Sequence, residues 1–105
     1  MPLDFTATES GFDNGMGGAS NAAGADDLHY VLFGQDGDGV YFEYDDQIHG
    51  AINQVAGVSV HPDRIVFALR DSHTITVRRR MDDGQWSEFV AGIRRTFPAA
   101  IVAEA

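Results

Sequence analysis

The sequence predicts an α+β fold: a small single domain over residues 1–105, with a mostly antiparallel β-sheet of five to six strands and one C-terminal helix packed on one face. Three observations carry this. From Leu28 to Val77, short apolar runs with alternating faces are separated by Gly, Asp and Pro turns, the pattern of strands. From Met81 the period becomes helical, with Trp86, Phe89, Val90, Ile93 and Phe97 on one stripe. The length of 105 residues with 44% hydrophobic content suits one core and no second domain.

Pro2–Thr8 reads as a first strand, with Leu3, Phe5 and Ala7 on one face. Glu9–Asp27 holds Gly11, Gly15, Gly17, Gly18 and Gly24, with Phe12 and Met16 as its large apolar residues. That composition predicts a flexible Gly-rich loop over 9–27. Its GMGG run lacks the Lys and Ser/Thr of a phosphate-cradling loop. Leu28–Phe33 is apolar on both faces, as in a strand covered on both sides. Gln35–Gly39 (QDGDG) is a turn, and Val40–Tyr44 returns from it. Val40, Phe42 and Tyr44 share one face of that arm, and Tyr41 and Glu43 the other.

Ile52–Val60, Ile65–Leu69 and Thr74–Val77 read as three antiparallel strands, with a bulge or bend at Gly57 and a turn at His61–Arg64. The helix spans about Gln85–Phe97. Asp82 or Asp83 caps its start, Arg94 and Arg95 suit its negative end, and Pro98 stops it. Ala99–Ala103 is a candidate edge strand.

Charge narrows the function. Sixteen acids against seven Arg, with no Lys, give a net charge of −9. Residues 1–63 hold eleven acids and no Lys or Arg, whereas every Arg lies at or after position 64. Such a chain repels phosphate, so the expected partners exclude nucleic acid and membrane surfaces. The absence of Cys removes disulfides, thiolate metal sites and cysteine nucleophiles. No segment is apolar enough to cross a membrane and no secretory signal opens the chain, which predicts a cytoplasmic protein.

No motif for chemistry is complete. A calcium loop opened by Asp36 fails at Val40, Tyr41 and Gln47. His29, His49, His61 and His73 have no metal-ligand spacing, and Ser59 near His61 lacks the second Gly of a nucleophile elbow. The expectation is no catalytic residue, no metal and no cofactor. The run Glu43–Gln47 (EYDDQ) sets three carboxylates within a few residues. They suit either a cationic partner or neutralisation by Arg78–Arg80 on a neighbouring strand.

The order HYVLFG, GVYFEYDDQ, PDRIVFAL and an amphipathic segment ending GIRRTF resembles immunity protein family 10 of bacterial polymorphic toxin systems. The resemblance covers Leu28–Phe97. It implies a non-enzymatic inhibitor that binds the toxin domain of a secreted antibacterial protein. The acidity of the chain favours a nucleic-acid-acting toxin as that partner, and a monomer or weak dimer is expected. An adaptor or chaperone of a secretion system is the alternative reading, and a small metal-dependent hydrolase a third. The expected partner-binding residues are Asp36, Asp38, Glu43, Asp45, Asp46 and Gln47.

Overall fold

A computed structural model describes residues 2–13, 15–21 and 28–104. Among them, ten strands form two five-stranded sheets, mostly antiparallel, with one helix. The strands are β1 Pro2–Ala7, β2 Glu9–Asp13, β3 Met16–Ser20, β4 Tyr30–Asp36 and β5 Gly39–Tyr44. They continue as β6 Asp46–Ile52, β7 Val55–Val60, β8 Arg64–Leu69, β9 Thr74–Arg79 and β10 Val102–Glu104. The helix α1 covers Asp83–Thr96.

The first sheet runs β1-β9-β8-β7-β10 and the second β2-β3-β4-β5-β6. The second is a plain antiparallel meander. In the first, β7–β8–β9 are antiparallel, and the two ends of the chain lie parallel along its edges, β1 beside β9 and β10 beside β7. The chain crosses between sheets at Thr8, whose N–H donates to the Ser20 carbonyl at 2.9 Å. It crosses back at Asn53 and Gln54. Asn53 adopts φ +58° and exchanges bonds with the Val40 backbone, and Gln54 donates to the Phe42 and His49 carbonyls.

Five of the seven Phe form the centre of the core. Phe33 and Phe42 from the second sheet meet Phe67 from the first, with Phe89 and Phe97 of the helical segment alongside, at centroid distances from 4.9 to 6.4 Å. Trp86, Phe89, Val90, Ile93 and Phe97 are all buried, as the helical stripe requires. Asp82 caps the helix by accepting from the Gln85 N–H at 2.8 Å. The Phe97 N–H closes the last turn onto the Ile93 carbonyl.

The fold class follows the sequence, but the strand count and layering do not. The Gly-rich segment is not a loop over 9–13 and 16–20, which pair as β2 and β3. Residues 14 and 22–27 lie outside the described residues. Glycine is a poor strand former by itself. Here it serves close approach. A side chain at Gly17 would overlap the ring of Phe12, and one at Gly18 would overlap the Val31 carbonyl oxygen. Nor is the 28–33 strand covered twice. Val31 and Phe33 are buried, but Leu32 is half-buried on the outer face. Asp46–Ile52, not anticipated as a strand, completes the second sheet across a bulge after Phe42. The bulge or bend expected at Gly57 is present as a register shift between Val55 and Gly57.

Candidate docking face of the second sheet

The inner face of the second sheet packs against the core, and its outer face is partly exposed. Strand register fixes what the outer face displays. Leu32 pairs with Glu43, Gly34 with Tyr41, and Ile52 with Tyr41 from the other side. Period-two alternation then places Tyr30, Leu32, Tyr41, Glu43, Gly50 and Ile52 on one surface. Ile52 is 46% exposed, and Ile48, on the same alternation, is 82% exposed. A shallow groove of about 560 Å³ runs beside them over β2, β3 and β4, floored by Gly11, Gly18 and Ser20.

At the centre of this face Glu43 is buried, only 5% exposed. Its Oε1 accepts the Tyr41 hydroxyl at 2.6 Å, and its Oε2 accepts the Tyr30 hydroxyl in a short hydrogen bond. Both phenols respond. Burial, followed by the bond to Glu43, pushes Tyr30 well above the usual phenol range. Tyr41 is raised first by its bond to Glu43 and then by burial. Gly50 makes room for this arrangement, since a side chain there would overlap the Tyr41 hydroxyl.

Asp45 closes the end of the site. It holds φ +61°, uncommon for a residue with a side chain. Its Oδ2 lies 3.0 Å from His29 Nδ1, and its Oδ1 accepts the Tyr30 N–H at 3.3 Å. His29 in turn stacks on Phe5 of the first sheet. On β6, His49 stacks flat on Tyr44 at 4.6 Å and donates Nδ1–H to the Tyr44 carbonyl at 3.0 Å.

The six residues expected to bind a partner do not form one patch. Asp36 and Asp38 stand at the β4–β5 turn, whereas Glu43, Asp45, Asp46 and Gln47 lie at the other end of β5. The strand between them spans about 17 Å. Asp36, Asp38, Asp46 and Gln47 are exposed. Glu43 is not a surface contact, because it is buried beneath two tyrosines. Asp45 is half-buried and committed to His29 and the Tyr30 backbone.

Neutralisation by the arginine triplet does not occur through the first two of its members. Arg78 forks onto Asp4 with two bonds of 2.9 Å. Arg79 pairs with Asp83 and lies over the Trp86 ring. Among the described residues no ion pair reaches Glu43 or Asp46. Also among them, no three His, Asp or Glu side chains stand close enough to hold a metal ion.

Sequence reasoning missed Tyr30, His29 and Gly50. The signal for Tyr30 was present in the QDGDG turn. Its Asp36–Gly39 pairing sets the register that places Tyr30 diagonally across from Glu43. No family model, curated protein or solved structure matches this chain. No helix among the described residues is long and apolar enough to cross a membrane.

Proposed function

We propose that the protein is an immunity-type inhibitor, acting in the cytoplasm, that docks a basic toxin domain on the outer face and rim of its second sheet. One observation carries the reading: charge is segregated between the two sheets. The second sheet and its turns hold seven described acids, Glu9, Asp13, Asp36, Asp38, Glu43, Asp45 and Asp46, and no Arg or Lys. All seven Arg lie on β8, β9, their adjoining turns and α1. A one-signed face steers an oppositely charged partner and orients the encounter. A toxin that acts on nucleic acid presents such a basic surface. The exposed Ile48 and Ile52 and the half-buried tyrosines add the apolar and aromatic contact that gives an interface its affinity.

The test is co-expression with a toxic C-terminal domain of a secreted protein, sought among the products of the neighbouring genes. The wild-type chain restores growth and forms a one-to-one complex. Asp38→Lys combined with Asp46→Lys changes two exposed residues, so the melting temperature holds while association slows about tenfold or more. Full protection by the double variant places the contact elsewhere. Absence of both rescue and complex with the wild-type chain refutes the immunity reading.

A further inference from the structure

We propose that the outer face of the second sheet captures an arginine of the partner, its guanidinium laid over the Tyr30 and Tyr41 rings above the Glu43 carboxylate. The inference rests on the docking function proposed above and names the chemistry its centre selects.

Buried carboxylates are ordinarily balanced by a cation or a metal. Glu43 has neither among the described residues, and its two hydrogen-bond donors are neutral phenols. Each oxygen takes one donor, so about half of the carboxylate's acceptor capacity remains. The sheet supplies no cation of its own, because Arg and Lys are absent from every one of its strands. The charge is therefore complemented from outside the chain.

The surroundings favour a planar cation. Tyr30 and Tyr41 are half-buried, so part of each residue stays exposed, and Glu43 fixes both hydroxyls. A site fixed before binding loses little entropy when it is filled. A guanidinium stacks on aromatic faces and forks toward carboxylates, and it gives up its hydration more readily than an ammonium. The adjoining groove, floored by Gly11, Gly18 and Ser20, leaves room for the chain that carries the arginine. A metal ion is disfavoured by the two phenol hydrogens already directed at the carboxylate.

The test uses short labelled polyarginine and polylysine peptides of equal length, read by fluorescence anisotropy against the whole protein. The wild-type chain is expected to prefer polyarginine about tenfold, the worth of one well-placed cation–aromatic contact. Glu43→Gln keeps the shape and still bonds both hydroxyls, so it melts within about 5 °C of wild type yet loses the preference. Gly50→Ala displaces the Tyr41 hydroxyl and loses it too, a second route should Glu43→Gln fold poorly. Asp46→Lys weakens both peptides alike and leaves the preference intact. Equal affinity of the wild-type chain for the two peptides, or a preference that survives Glu43→Gln and Gly50→Ala, overturns the proposal. So does concentration-dependent self-association that Glu43→Gln abolishes, since a second copy would then supply the arginine. Loss of protection by the Asp38 and Asp46 reversal with no arginine preference overturns this inference alone and leaves the docking face standing.

Discussion

Gly92 sits inside α1, where Ala is ordinarily the better residue by about 1 kcal/mol. Here Gly92→Ala is expected to destabilise. A side chain at Gly92 would overlap the ring of Phe12 at Cζ and Cε1, and the ring has little room to shift, because Gly17 closes on the same edge about as tightly. Phe12 also meets Phe33 edge-on at 6.1 Å and lies under the Arg95 guanidinium at 5.3 Å. Removing a fully buried Phe costs about 3–5 kcal/mol, so expelling the half-buried Phe12 costs roughly 2 kcal/mol. Set against the helical gain, Gly92→Ala loses about 1 kcal/mol. In a Phe12→Ala background the obstruction is gone, and the same change stabilises by about 1 kcal/mol. The assay is urea unfolding of the four members of the cycle, comparing midpoints at constant slope. A coupling of about 2 kcal/mol is expected. Stabilisation by Gly92→Ala in the wild-type background would refute the claim that Phe12 pins β2 and β3 to the helix.

Two further outcomes follow from the core and from the tyrosines. Phe89→Ala and Ile93→Ala, both with no exposed surface, should each cost about 2–5 kcal/mol, read as a lowered urea midpoint. The Tyr30 hydroxyl titrates above its ordinary value of 10.0 in the folded chain, so the folded state holds that proton more tightly than the unfolded one. Its contribution is therefore complete below about pH 10 and is lost as pH rises through the folded-state value. The urea midpoint of the wild-type chain should fall more steeply above about pH 10 than that of Tyr30→Phe, and parallel declines in the two proteins would contradict this.

The helix was legible because its signals agree: apolar residues at helical spacing, an Asp at the cap, arginines at the end and a proline beyond. The β4–β5 hairpin was legible for the same reason. The β2–β3 hairpin was not. Its glycines look like a linker when read alone, and only the placement of Phe12 between Gly17 and Gly92, residues distant in sequence, explains them. Asp46–Ile52 was missed because its alternation carries no large apolar residue on the inner face, where Gln47, His49 and Ala51 fall, and a bulge offsets its register from β5. In the candidate site, the acidic run EYDDQ was visible as charge. Its division into a buried carboxylate, a turn-forming aspartate and an exposed pair was invisible, because that depends on the Asp45 backbone and on tyrosines from two strands. Likewise Arg78 could not be assigned to Asp4 without knowing that β1 lies parallel to β9.

The asymmetry of the chain becomes a face of the molecule because residues 9–52 build one sheet by consecutive hairpins. No later arginine enters the strands of that sheet, and Arg95 of α1 reaches it at Phe12 of β2, so the segment's charge is retained on the β4–β6 side. Distance then divides the labour within it. Screening acts over about 8 Å at physiological salt, whereas the β4–β5 turn stands about 17 Å from the β5–β6 end. On the proposed docking function, Asp36 and Asp38 would therefore act on an approaching partner separately from Asp46. In that reading the two rims would steer, and their effect would fade as salt is added. Glu43 lies between β4 and β6, shielded by two tyrosines from the ions that screen the rim. On the proposed docking function its effect would belong to the docked state, so it would govern how long a partner stays, with little dependence on salt.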